Sequence, residues 1–218
     1  MSKAVSAIAG GLKDVLAGRL TLMALLNVVL AVALTSSAAW AAIHYLVPMI
    51  PDGSGWLANV STAGEFIASV AIVVLAVALS PAASMVVGGL MFDFAAERVE
   101  KAIGAPRGRM VPLHQGIWNG VRIALPALFL NLIAIPFYFV PVVNAIVFWS
   151  LNAFLMGREY FTLAGARRMP FRDAVQLRKR NGFSMFMVGL ACCVIPFLAP
   201  LVAASAMTRL INGLVASR

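Results

Sequence analysis

From Leu20 to Val47 the chain carries no Asp, Glu, Lys or Arg, and an apolar run of that length exceeds the roughly 18–20 residues a helix needs to cross a bilayer core. In hydrocarbon a segment must satisfy its own backbone N–H and C=O groups, which leaves an α-helix or a closed barrel. Unbroken hydrophobicity without period-two alternation selects the helix. Pro48 and Pro51 then end it. A second run, from Phe66 to Phe92 with Pro81 as its one breaker, leads into Asp93, Glu97, Arg98, Glu100 and Lys101. Glu97 and Lys101 are spaced i,i+4 in the favourable order, which predicts that this helix leaves the bilayer intact and continues in water until Gly104 and Pro106. With 62% hydrophobic and 11% charged residues, no water-facing surface can be built around these runs. The expectation is one compact all-α integral membrane domain and no soluble enzyme.

Residues 2–17 place Val5, Ile8, Ala9, Leu12, Val15 and Leu16 at helical spacing, with Ser2, Lys3, Ser6, Lys13 and Asp14 elsewhere around the wheel. This predicts an amphipathic helix on the membrane surface over residues 1–18, despite Gly10-Gly11, which costs about 2 kcal/mol of helix propensity. Ala39-Trp40-Ala41 resembles a signal-peptidase site, but the stretch before Leu20 and the length of the run argue against cleavage. The segment from Pro51 to Trp56 reads as an interfacial turn. Cys192 and Cys193 are neighbours inside an apolar run and read as small reduced core residues. His44 and His114 stand without companions at ligand spacing, so no metal or cofactor is expected. Nucleophile elbow, P-loop and dinucleotide fingerprints are lacking.

The formal net charge of +9 suggests nucleic acid only if its placement is ignored. The basic residues fall into Lys3, Lys13 and Arg19, then Arg98 to Arg122, then Arg158 to Arg180, then Arg209 and Arg218, with none between residues 20 and 97. The positive-inside rule puts the N-terminus and residues 98–122 in the cytoplasm and the turn at Asp52 outside. A single crossing by Ile123 to Met156 would export the cluster from Arg158 to Arg180. That stretch must therefore return to its starting side. Pro136 and Pro141 divide it into arms of about 14–16 residues, about 21–24 Å each, short of the roughly 30 Å core. Half-penetrating helices follow. The Ile135-Pro136-Phe137 to Pro141 pattern is echoed by Ile195-Pro196-Phe197 to Pro200, predicting a second hairpin, with a single span as the alternative. Exposed helix ends at membrane depth are tolerated in protein or beside a wet cavity, and prolines at the start of a returning helix leave N–H groups for an anion, or simply make the turn.

The expected organisation is thus an interfacial helix (1–18), two long spans (20–103), a first hairpin (123–157), a basic cytoplasmic segment (158–182) and a second hairpin (183–208). This order, together with Gly18-Arg19-Leu20, the extension from Leu90 to Glu100, Arg158-Glu159-Tyr160-Phe161, Met169-Pro170-Phe171-Arg172 and Leu177-Arg178-Lys179-Arg180, resembles the bacterial CysZ-type sulfate permeases of the etoposide-induced-protein superfamily. The resemblance implies two long transmembrane helices, two half-penetrating helical pairs, homo-oligomeric assembly and residence in the bacterial inner membrane. It also implies transport of sulfate or a similar small anion. Characterised members hold sulfate near the start of the first long helix with a Gly-Leu-Arg-Arg motif. Here Gly18 and Arg19 stand at that place, without the paired arginines, and are the candidate substrate-binding residues. Arg19 is equally a topology anchor. The competing function is a non-transporting membrane scaffold or assembly protein that binds anionic lipid or a partner through Arg167 to Arg180.

Overall fold

A computed structural model describes residues 2–50, 56–134, 136–137, 140, 142–195 and 197–216. Eight α-helices account for most of them, and no strand occurs among the described residues. They are α1 (Ser2–Leu16), α2 (Thr21–Leu46), α3 (Trp56–Ala102), α4 (Leu113–Ala134), α5 (Val143–Ala166), α6 (Phe171–Arg180), α7 (Gly182–Cys193) and α8 (Ala199–Val215). The chain divides into two compact units, Leu25–Gly89 and the remainder, Met1–Ala24 with Leu90–Arg218.

In the first unit, α2 and the short 3-10 turn Val47–Met49 form the apolar segment Thr21–Met49, long and apolar enough to cross a membrane. Only 22% of its most apolar window is buried, so it is not the core helix of a soluble protein. Its polar residues turn inward on the backbone. Thr35 Oγ1 donates to the Ala31 carbonyl at 2.9 Å and Ser37 Oγ to the Ala33 carbonyl at 2.5 Å, which removes the hydroxyls from the apolar surroundings. The α3 helix runs 47 residues without a break, through Pro81 and past the apolar run into the charged extension that the sequence predicts. Gly104, at φ +65°, closes its end in the left-handed conformation glycine adopts freely. The turn residues Pro51 to Gly55 lie outside the described residues.

The second unit is organised around α8. Leu201, Ala203, Ala204, Ala206, Met207 and Ile211 are fully buried beneath α1, α5 and α7. Small residues set the spacing. A Cβ on Gly157 would meet the Met185 carbonyl oxygen at 2.6 Å, and one on Gly189 would collide with the Ala153 carbonyl, so α5 and α7 pack backbone to backbone. The α1 helix forms where expected but buries a different face. Ala4, Ala7, Gly11, Asp14 and Val15 face inward, while Val5 and Leu16 are exposed. Gly10 and Gly11, unfavourable for helix propensity, are explained by close approach: Cβ atoms there would meet Arg209 Cδ at 2.7 Å and the Val202 carbonyl oxygen at 3.0 Å.

Both proline segments interrupt helices. The α4 helix contains Pro126 and ends at Ala134; Val142, at φ +69° and ψ −52°, precedes α5. That is the tight γ-turn region, which costs a β-branched residue strain. Pro141 lies outside the described residues. Pro200 occupies the first turn of α8, the position predicted for it. Cys192 and Cys193 are unbridged.

Candidate functional site

The candidate residues Gly18 and Arg19 lie in the corner between α1 and α2. Gly18 takes φ +96°, a conformation that lets the chain reverse without Cβ strain. Two bonds lock the corner, from Leu20 N–H to the Asp14 carbonyl at 2.9 Å and from Thr21 Oγ1 to the Val15 carbonyl at 2.6 Å. Arg19 is thereby held over Asp14, with Nη1 donating to Oδ1 at 2.9 Å while its side chain stays 52% exposed.

Asp14 is the centre of the cluster, and it was not among the residues singled out from sequence. Its side chain is completely buried. It accepts from Ser205 Oγ at 2.6 Å, from Arg209 Nε at 2.9 Å and from Arg209 Nη2 at 2.7 Å, besides the bond from Arg19. Burial alone pushes its carboxyl up, but the hydrogen bonds from Ser205, Arg209 and Arg19 and the Arg209 charge outweigh burial and hold it below the usual carboxylate range. Two guanidiniums share one carboxylate, so the node carries net positive charge. A cleft of about 250 Å³ opens beside it, lined by Lys3, Ser6, Ala7, Ile103, Arg209, Leu210 and Gly213, with no acidic residue among them. Lys3 Nζ donates to the Gly213 carbonyl at 3.1 Å. The signal available in the sequence was Arg209 itself: an arginine in an otherwise apolar helix calls for a carboxylate, and Asp14 is the first acid of the chain.

A second node joins the end of α3 to the corner between α5 and α6. Arg167 and Glu100, each 1% exposed, pair at 2.9 Å, and Arg167 Nη1 reaches Asp93 at 2.6 Å. Gly108 N–H donates to Glu100 Oε2 at 2.9 Å, and Arg109 Nε donates to the Ala166 carbonyl at 2.9 Å. The charged extension of α3 is therefore only partly a solvated helix end. Its acids clamp the loops that follow α3 and α5, and Glu97 pairs with Arg107 at 3.3 Å.

Exposed apolar side chains along α2, Leu22, Leu25, Val29 and Leu34 among them, define the class as an all-helical protein with a segment long and apolar enough to cross a membrane. Within that class the chain belongs to the family described as Sulfate transporter CysZ/Etoposide-induced protein 2.4, which matches residues 7–207. No curated protein and no solved structure matches the chain.

Proposed function

We propose that this protein carries a small inorganic anion, sulfate or a close analogue, across the bacterial inner membrane, and that the anion engages Gly18 and Arg19 at the corner between α1 and α2. The observation that carries the reading is the half-exposed Arg19 guanidinium, held by a glycine turn on a node with excess positive charge. A guanidinium suits a tetrahedral oxyanion because its planar fork donates two parallel hydrogen bonds. In the proposed topology the N-terminus is cytoplasmic, α2 and α3 span, and the proline-broken pairs α4/α5 and α7/α8 enter and return. The apolar helices Gly182–Cys193 and Ala199–Val215, 12 and 17 residues long, support the re-entrant reading, since about 18 and 25 Å fall short of the roughly 30 Å core.

Sulfate binding to purified, equally folded wild type, Arg19→Ala and Arg19→Lys tests the site. Loss of a charge-assisted contact is worth about 1.5–3 kcal/mol, roughly ten- to hundredfold in affinity. Lys recovers part of it, because a point charge does not replace the fork. Equal binding by all three proteins removes Arg19 as a ligand. The scaffold reading draws on α6, which buries Ala174 and Leu177 while exposing Arg172, Lys179 and Arg180 toward any anionic lipid surface. Wild type that binds no sulfate but binds anionic vesicles selects it.

A further inference from the structure

Of the arginines of the basic segment that take no part in either node, Arg158 and Arg178 are the two that are not exposed. Arg158, in α5, is 8% exposed, and its Nη2 donates to the Ile123 carbonyl of α4 at 3.1 Å. Arg178 reaches the same face of α5 from α6, donating through Nη1 to Thr162 Oγ1 at 2.7 Å. Thr162 lies one turn beyond Arg158 and donates back to its carbonyl at 2.6 Å. Both arginines are thus tied to one turn of α5, near enough for the Arg158 charge to act on Arg178, at the base of the α4/α5 pair.

Their partners set the buried Arg158 and the half-buried Arg178 apart from the buried Arg167. Arg167 meets two carboxylates, whereas Arg158 and Arg178 form no ion pair among the described residues. Arg158 bonds one backbone carbonyl and Arg178 one hydroxyl, both neutral acceptors, although a guanidinium carries five N–H donors and does not deprotonate in proteins. Taking such a charge out of water without a counterion is unfavourable. Burial pushes the Arg178 guanidinium below its ordinary value, and the neighbouring Arg158 charge adds to this. Glu159, the adjacent acid, makes no salt bridge among the described residues; burial pushes its carboxyl up and the Arg158 charge offsets this only in part, so it acts on Arg158 as a neighbouring charge without a hydrogen bond. Arg122, next to Ile123, stacks on Phe171 of α6 at 5.8 Å and adds positive charge nearby.

We propose that Arg158 and Arg178 form a second oxyanion site, separate from Arg19, which takes a sulfuryl or phosphoryl group as the hydrogen-bonded counterion that no carboxylate of the described residues supplies. Free inorganic sulfate or phosphate and the phosphate of a lipid headgroup share that chemistry. The site stands or falls independently of the Arg19 reading.

The test uses the full chain in neutral detergent with Arg19→Ala as background, so that binding at the α1/α2 corner does not contribute. Thermal unfolding is followed while sodium sulfate or phosphate replaces gluconate at constant ionic strength. The expected result is a saturable rise in midpoint, distinct from the non-saturating effect of kosmotropic salts, and its loss when Arg178→Gln is added. If inorganic anions give no rise, the same pair is compared in nanodiscs of neutral lipid with and without phosphatidylglycerol. A rise confined to the anionic discs and abolished by Arg178→Gln assigns the site to a headgroup. Should Arg178→Gln fail to fold, the Arg19→Ala protein decides alone: a saturable rise with sulfate, phosphate or anionic discs upholds the site, and no rise with any of them overturns it. A response that survives Arg178→Gln in a folded protein, or no response to any of the anions, also overturns it.

Discussion

Replacing Asp14 with Asn removes one charge and keeps the shape, and so measures what the α1–α8 node contributes. The carboxylate is fully buried and accepts from Ser205, Arg209 and Arg19 at 2.6 to 2.9 Å. An amide in its place keeps one acceptor and turns N–H donors toward a guanidinium. Breaking a buried ion pair costs about 3–5 kcal/mol. Arg209 is 22% exposed, so water recovers part of its solvation, and the low end, about 3 kcal/mol, is expected. For a chain of this size that lowers the unfolding midpoint by roughly 6–12 °C. Circular dichroism melts of full-length protein in neutral detergent at pH 7 read the change, with the exposed neighbour substitution Lys13→Gln as control. The folded carboxyl titrates below its ordinary value of about 3.9, so its contribution is fully present above about pH 4 and fades as pH falls through the depressed folded value. The gap between wild type and variant therefore narrows in acid. A midpoint within about 2 °C of wild type at pH 7, or a gap that stays constant down to pH 3, would refute the node as the tie between α1 and α8.

Gly189→Ala drives a methyl into the Ala153 carbonyl at the α5–α7 contact, and a loss of about 1–3 kcal/mol is expected from overpacking; a melt equal to wild type would mean that the two backbones do not touch. For sidedness, Ser54→Cys in a background lacking Cys192 and Cys193 should react with an impermeant thiol reagent added outside, while Gln176→Cys should not. Labelling of Gln176→Cys from outside would show that the Ile123 to Met156 stretch crosses once, and the proposed hairpin topology would be wrong.

The legible part of this protein is what local composition controls. A charge-free run has one backbone solution in hydrocarbon, so α2 was readable almost to the residue; the continuation of α3 to Ala102 and its stop near Gly104 followed from i,i+4 charges and a glycine that tolerates positive φ. Proline positions marked where α4 ends and α8 begins. Arg19 was legible as a lone cation at the head of α2, but its partner was not.

Asp14 shows why. On a helical wheel it belongs to the polar side of a surface helix, and hydropathy would leave it in water. Only the packing of α8 on α1 brings Arg209, 195 residues away in sequence, within 2.7 Å of it and turns a solvated acid into the buried centre of a node. The same packing reverses the meaning of Gly10 and Gly11, costly in an isolated helix and needed where Arg209 and the α8 backbone pass. Glu100 is likewise one charge of a helix end until Arg167 closes on it across 67 positions. Periodicity and charge order act over a few residues and gave α1, α2, the end of α3, the proline breaks and the expected side of each loop, but not α6 or the starts of α3 and α4; the choice of counterion for each buried charge depends on which helices touch, and that was decided only by the tertiary structure.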